Sequence, residues 1–152
     1  FALYEINLYT RICALCQPLS ILQWQLTSDY SLLWGEGIFR SEGPLRPTQR
    51  FWNMKQLAST PEEALAIPLT VSKKKVNAAA FANLVRGQYA VHLVNNGADC
   101  FASITGLPKE VKSLKVYVTN TQDSMKETTV QVQDGVAKVW MPAISFVTVL
   151  SE

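Results

Sequence analysis

The chain has 152 residues, of which 48% are hydrophobic and 17% charged, and its formal net charge is +2. This length suits one domain, or a small domain joined to part of a larger one, and it is long enough to bury a core. The small net charge is not typical of proteins that bind nucleic acid or acidic lipid, and we predict neither partner. No apolar run reaches the roughly 18 residues of a membrane-spanning helix, and no signal peptide is evident.

The first residues predict an amphipathic helix. Leu3, Ile6, Tyr9, Cys13 and Cys16 recur at intervals of three and four residues, which predicts a helix over residues 3–16. A proline two residues later prevents its continuation. Because the chain enters this helix at once and has no initiator methionine, we expect a truncated or processed start, with any targeting segment upstream.

The segment after this helix predicts a buried strand. Residues 21–26, ILQWQL, are short and largely apolar, as in a strand covered on both faces. An irregular, aromatic loop with three glycines and two prolines follows over residues 28–47. This order of predicted elements, a helix, a buried strand, a long loop and a second helix, is typical of a parallel α/β unit.

A second helix is predicted from Pro47 or Thr48, ending by Pro61. Its apolar residues repeat on one face, which we expect to be the buried one: Phe51, Met54, Leu57 and Ala58.

From about residue 62 the pattern changes to short segments rich in Val, Thr and aromatic residues, separated by turn signals. Six such segments predict strands, and two more are expected around residues 65–71 and 77–86, which together indicate an antiparallel β-sandwich. Asn96-Gly97 and Asp134-Gly135 are favourable hairpin turns. We therefore predict a change of domain between residues 62 and 63.

The cysteines do not make a convincing site. An odd count of three excludes a complete disulfide framework. Cys13 and Cys16 lie near the end of the predicted helix and are interpreted as small core residues. A zinc site that adds His92 and Cys100 would lack a second closely spaced pair, so we predict no metal and no cofactor.

No pair of carboxylates is placed for acid/base catalysis, which needs two such groups facing each other across a bond. The candidate glutamates are each interpreted as surface charge: Glu5, Glu36, Glu42, Glu62 and Glu63. The only histidine, His92, lies in the middle of a predicted strand without a GxSxG elbow, so a hydrogen-bonded sheet residue is expected.

The stretch SILQWQLTSDYSLLWG, residues 20–35, carries the candidate binding residues Trp24, Asp29 and Tyr30. Tryptophan stacks on the apolar face of a sugar ring, while Gln, Asp and Tyr bind its hydroxyls. The same residues equally fit a structural role, with Trp24 under neighbouring helices and Asp29 capping a turn.

The order of five segments resembles the C-terminal part of glycoside hydrolase family 30 enzymes, the glucosylceramidase and glucuronoxylanase group. The segments are LYTRICALCQPLSILQWQLTSDYS, FWNMKQLA, YAVHLVNNGADCFASITGLP, VYVTNTQDSMKE and VWMPAISFVTVL. No single segment is diagnostic, and their order is the more specific feature. The resemblance implies the last βα units of a (β/α)8 barrel over residues 1–62, followed by an antiparallel β-sandwich side domain over residues 63–152.

The resemblance further implies a retaining glycosidase acting on β-linked glycans or glycosides, with its two catalytic glutamates on the fourth and seventh barrel strands. Residues 3–16 would be the seventh barrel helix, 20–26 the eighth strand and 48–59 the eighth helix. Both glutamates would then lie in a missing barrel segment upstream of Phe1, so this chain alone would be inactive. The resemblance also implies an extracellular or periplasmic location.

By the same resemblance, Trp24 lines the sugar subsite nearest the cleaved bond, and Asp29 and Tyr30 lie near the cleft. Strand alternation puts Trp24 opposite Gln23 and Gln25, so a regular strand with Trp24 in the cleft would send both glutamines toward the helices. This placement of Trp24 therefore requires a bulge or irregular peptide at the strand end.

Two other functions stay open from the residues. A non-catalytic carbohydrate-binding or adhesion module would use an aromatic face of the sandwich, with Tyr89, Tyr117 or Trp140. A purely structural interaction domain would bind no sugar at all.

Overall fold

A computed structural model of the chain describes residues 1–22 and 31–151. Within these residues there are two helices and ten strands. The helices are α1 (Ala2–Cys16) and α2 (Gln49–Leu57). The strands are β1 (Leu33–Trp34), β2 (Arg46–Pro47), β3 (Leu65–Ile67), β4 (Val76–Asn83), β5 (Gln88–Asn95), β6 (Cys100–Thr105), β7 (Ser113–Thr119), β8 (Lys126–Gln131), β9 (Val136–Met141) and β10 (Ser145–Ser151).

The described strands build a large antiparallel sheet in the order β3-β4-β5-β10-β7-β8, which packs against a small sheet of β6 and β9. The last strand, β10, lies in the middle of the large sheet. Phe146 on β10 pairs with Val94 of β5 on one side and with Thr119 of β7 on the other. All eight strands predicted after residue 62 are present, and the antiparallel β-sheet architecture is confirmed.

The large sheet is covered on both faces, because side chains alternate along its strands. On one face Val94 and Phe146 pack with Ile6 of α1. On the other face Val147 of β10 packs with Val139 and Met141 of the small sheet. The chain therefore folds into three layers, with the helices on one side of the large sheet and the small sheet on the other.

Of the two predicted hairpin turns, one forms. At Asp134-Gly135 both residues have positive φ, and Gln133 and Val136 form an antiparallel bridge around them. Beyond this bridge, β8 stays in the large sheet and β9 enters the small one. At Asn96-Gly97 neither residue has positive φ, and the segment connects β5 of the large sheet to β6 of the small one, so the prediction of a hairpin there was wrong. Each sheet buries an apolar face against another layer of the fold. This burial decides which strands pair, and the turn residues do not encode it.

Helix α1 agrees with its prediction except at two side chains. Ile6 and Cys13 are buried and Leu3 and Tyr9 half-buried, as the periodic stripe predicts, and Thr10, which is not part of the stripe, is buried as well. Cys16 is exposed because the stripe turns away from the sheet at the end of the helix, so its assignment to the core was wrong. Glu5, predicted on the solvent face, is buried.

Helix α2 buries a different face from the one predicted. Its buried residues are Arg50, Asn53 and Gln56, whereas Met54 and Leu57 are only half-buried. These three polar residues share one face because they are spaced by three. Thr48 caps the helix by accepting a hydrogen bond from the N–H of Phe51. The apolar stripe therefore lies beside the buried face, where Leu57 still packs against Ile6, Val94 and Phe146.

Gln56 attaches α2 to the centre of the large sheet. Its fully buried Nε2 donates to the carbonyl oxygen of Phe146 at 3.1 Å and to Oγ1 of Thr148 at 3.1 Å. Its Oε1 accepts a hydrogen bond from the hydroxyl of Thr119 at 2.7 Å. A buried amide without partners would be costly, and these contacts satisfy it.

His92 continues this network back to the end of α2. Its Nδ1 lies 2.8 Å from Oγ1 of Thr148, and its Nε2 lies 2.7 Å from Oγ1 of Thr60. Because the hydroxyl of Thr60 donates to the carbonyl of Leu57, it accepts from His92, which assigns the proton to Nε2. Complete burial lowers the pKa of His92 from 6.5 to about 3, so the ring is neutral at pH 7. The expectation of a hydrogen-bonded sheet histidine is confirmed.

We predict that acid destabilises the chain through His92. Below pH 6.5 the unfolded chain binds a proton that the folded chain binds only near pH 3. The free energy of unfolding therefore falls as the pH drops through this window, by about 2 kcal/mol between pH 7 and pH 5. Urea unfolding at the two pH values measures the loss, and His92→Gln should remove most of the difference. Equal losses in both proteins would contradict the assignment.

Candidate functional site

The predicted binding residues Trp24, Asp29 and Tyr30 lie outside the described residues. Their roles therefore stay predictions. The described chain resumes at Ser31, which is buried, and continues into the aromatic loop, defined as residues 31–47. This loop is the part of the predicted sugar-binding region whose geometry is described.

Two short strands close the aromatic loop, although its sequence predicted no regular element. Leu33 pairs with Pro47, and Trp34 pairs with Arg46. The N–H of Glu36 donates to the carbonyl of Gly43 at 2.9 Å, which closes the loop further out. At Gly35, φ is +116°, and a Cβ atom there would collide with the carbonyl of Pro44. Glycine is therefore required at this turn.

Three side chains of the aromatic loop form an exposed cluster. The rings of Trp34 and Phe39 are 6.2 Å apart at an angle of 55°, and the guanidinium of Arg46 lies 5.4 Å from the centre of the Trp34 ring. Trp34 is 44% exposed and Phe39 37%. An exposed indole beside a guanidinium offers a stacking surface for a sugar ring and donors for its hydroxyls. Sequence reasoning did not select these residues, because their approach depends on the pairing of β1 with β2.

A buried ion pair anchors the aromatic loop to both helices. Arg50 of α2 donates from Nε and Nη2 to the two carboxylate oxygens of Glu5, at 2.8 and 2.7 Å. Its Nη1 donates to the carbonyl of Ser31 at 3.1 Å, where the loop begins. Hydrogen bonding to Glu5 raises the pKa of the Arg50 guanidinium, which keeps it charged. The hydroxyl of Thr48 adds a second anchor by donating to the carbonyl of Leu32 at 2.8 Å.

Burial separates Glu5 from the other candidate glutamates. Its interpretation as surface charge was wrong, because Arg50 lies 45 residues away in sequence and only the fold brings it close. The remaining four are exposed, as predicted: Glu36, Glu42, Glu62 and Glu63.

The four residues of the zinc alternative do not form a site. In the described parts of the chain, no group of three or more His, Cys, Asp or Glu side chains is close enough to hold a metal ion. Both ring nitrogens of His92 are already bound to threonines. Burial raises the pKa of the Cys13 thiol, which disfavours the thiolate that a metal would need.

The aromatic residues of the sandwich divide into two groups. Tyr89 and Tyr117 are half-buried. Trp140 is 45% exposed on the outer face of the small sheet, and its ring centre lies 4.9 Å from that of Phe101, which is 60% exposed. The alternation in CFASIT and VAKVWM could have indicated this pair, since both residues occupy outward positions.

No family model matches the sequence, and no curated protein matches it. Solved structures do match. A GH30 endoxylanase from Clostridium papyrosolvens C71 superimposes with a TM-score of 0.63 at 16% identity over 70% of this chain. The catalytic domain of GH30 xylanase C from Talaromyces cellulolyticus matches with a TM-score of 0.64 at 19% identity over 82%. A conserved exported protein from Bacteroides fragilis matches with a TM-score of 0.71 at 14% identity over 98%.

The chain has a fold found in family 30 glycoside hydrolases. The resemblance expected from the sequence is thereby confirmed at the level of fold. The chain spans 28% of the length of each of the two xylanases and 33% of that of the exported protein. In the described part of the chain, neither helix is long and apolar enough to cross a membrane.

We predict that Glu5→Gln strongly destabilises the chain, because it leaves the buried guanidinium of Arg50 without a counter-charge. The expected loss is about 3–5 kcal/mol in the free energy of unfolding, measured by urea titration with tryptophan fluorescence. Glu62→Gln is the matched control, since Glu62 pairs with Arg86 at the surface, and it should cost less than about 1 kcal/mol. Similar midpoints for the two variants would refute a stabilising role for the ion pair.

We predict that Gly35→Ala opens the aromatic loop. The added Cβ would meet the carbonyl oxygens of Pro44 and Gly43, so the loop must move. Trypsin should then cleave faster after Arg40, which lies between the two strands that close the loop. Gly43→Ala is the control, because the nearest atom to its Cβ would be 4.0 Å away. Unchanged cleavage in Gly35→Ala would show that the loop tolerates the side chain.

Proposed function

We propose that the chain is the C-terminal part of a retaining glycoside hydrolase that acts on β-linked glycans or glycosides. Residues 1–62 would be the last βα units of its (β/α)8 barrel, and residues 63–152 its side β-sandwich. The observation that carries the proposal is the extent of the fold match. A match over 82% of the chain to a GH30 xylanase cannot be confined to residues 63–152, which make up about three fifths of it.

An exposed apolar stripe on α1 supports the proposal that further barrel segments lie upstream. Tyr4, Leu8 and Leu15 are spaced by near-whole turns of a helix and share one face, away from the buried Ile6. Tyr4 is 70% exposed and Leu15 76%. An exposed apolar stripe of this kind marks a surface that another element covers, as upstream barrel helices would.

In the proposed enzyme, catalysis belongs to two glutamates upstream of Phe1, one as nucleophile and one as acid/base. Retaining glycosidases hold such carboxyl groups about 5–5.5 Å apart. This chain would contribute the wall of the cleft, with Trp24 at the sugar beside the cleaved bond and Asp29 and Tyr30 nearby. The aromatic loop would extend that wall through Trp34. The chain alone would therefore be inactive, and its parent enzyme extracellular or periplasmic.

A second candidate is a non-catalytic carbohydrate-binding or adhesion module. The exposed pair of Phe101 and Trp140 favours it, since exposed aromatic rings are the usual platform for sugars. Tyr89 and Tyr117 are less suitable because they are half-buried. Glycan binding that survives Trp24→Ala but is lost in Trp140→Ala would favour this candidate.

The hydrolase proposal predicts that the coding sequence upstream of Phe1 encodes barrel strands bearing the two glutamates. The longer polypeptide should hydrolyse β-linked glycosides, whereas the 152-residue chain should not. In the longer protein, Trp24→Ala should lower kcat/KM by about tenfold through lost stacking. Val85→Ala, a fully exposed residue of the turn between β4 and β5, serves as the control and should leave kcat/KM unchanged. Absence of glutamate-bearing strands upstream would end the enzyme proposal.

A further inference from the structure

A groove separates the small sheet from the segment that joins β3 to β4. Its cavity of about 290 Å³ lies close to the lower end of the range for small-ligand sites, about 300–1,000 Å³. Val76, Val91 and Leu93 of the large sheet contribute apolar lining. The groove therefore has an apolar surface of the kind that contacts the face of a sugar ring.

The two walls of the groove are polar. On one side is β6, which among the described strands pairs only with β9, so its other edge has free backbone donors and acceptors. Ser103 and Thr105 of β6 line this wall, and Thr70 and Ser72 line the opposite segment. Hydroxyls and peptide groups on both sides provide hydrogen bonds that sugar hydroxyls can use.

Phe101 connects the groove to the outer face of the small sheet. It lines the groove and also pairs in register with Trp140 on β9. The next pair along the same face is Ser103 with Lys138. A ligand that extends from the groove across Phe101 would therefore contact the indole ring of Trp140 and then the ammonium group of Lys138.

The charge along this surface is positive. Lys73 lines the groove and is followed by the exposed Lys74 and Lys75, while Lys138 is exposed on the outer face. Lys115 and Lys126 pair with acidic side chains, but within the described residues no ion pair involves Lys73 or Lys138. The run from Lys73 to Lys75, expected from the sequence to be only a solvated turn, thus borders the groove.

We propose that this surface, formed by the groove, Phe101, Trp140 and Lys138, binds a glycan that carries carboxylates, such as a chain of uronic acids. Aromatic and apolar groups meet the sugar faces, hydroxyls and free peptide groups meet the sugar hydroxyls, and Lys73 and Lys138 meet the carboxylates. The site lies apart from the aromatic loop, and it does not depend on the hydrolase proposal.

Calorimetric titration of the 152-residue chain with two hexasaccharides tests the site. A β-1,4-linked glucuronic acid hexamer should bind, and cellohexaose, which has the same linkage without carboxylates, should bind about tenfold more weakly. Phe101→Ala and Trp140→Ala should each weaken binding of the acidic hexamer by about tenfold. The double variant Lys73→Gln/Lys138→Gln should reduce it to the level of cellohexaose.

Two control variants separate this site from general charge attraction and from the loss of any exposed apolar side chain. Arg11→Gln/Lys55→Gln removes the same charge from the helices, and Val85→Ala removes an exposed apolar side chain from the turn between β4 and β5. Both should leave binding unchanged. Backbone amide shifts in the wild-type chain should localise the acidic hexamer to Ser103 and Lys138 without any substitution. No binding, equal binding of both sugars, or equal losses in the control variants would overturn the proposal. Tighter binding of a peptide of alternating valine and glutamate would also overturn it.

Discussion

The hydrogen bonds of Gln56 fix the position of α2, and most of the helical layer depends on that position. Its amide is buried at the centre of the large sheet, where an unpaired group would cost about 1–3 kcal/mol. Phe146, Thr119 and Thr148 supply its partners only when the polar face of α2 points at the sheet. Arg50 lies on that same face and consequently reaches Glu5 and the start of the aromatic loop.

This orientation explains why the apolar residues of α2 are left half-buried. With Arg50, Asn53 and Gln56 facing inward, Met54 and Leu57 lie to the side of the buried face, and Leu57 contacts Val94 and Phe146 of the sheet only as a half-buried residue. On the neighbouring helix α1, the apolar residues Tyr4, Leu8 and Leu15 are likewise exposed. Both helices thus carry apolar residues that the described part of the chain leaves partly or largely exposed.

The sandwich could be predicted well from the sequence because its signals are local. Alternation of side chains marks each strand of the sandwich, and the stripe of Leu3, Ile6, Tyr9 and Cys13 marks α1. The errors concern long-range partners. Glu5 looked like surface charge because Arg50 is distant in sequence, and the hairpin at Asn96-Gly97 was wrong because β5 pairs with β4 and β10, which leaves it no free edge for β6. The aromatic loop was predicted to belong to a binding region, but the sequence did not indicate which of its rings meet.

The sequence by itself indicated both helices and the eight strands after residue 62, and its order of segments indicated the family 30 fold. Periodicity establishes which side chains share a face, because it depends only on backbone geometry. It does not establish which face is buried. Only the tertiary structure decided that the polar face of α2 is inside, that Glu5 meets Arg50, and that Phe101 and Trp140 form one outer surface. Each of these depends on a partner that lies far away along the chain.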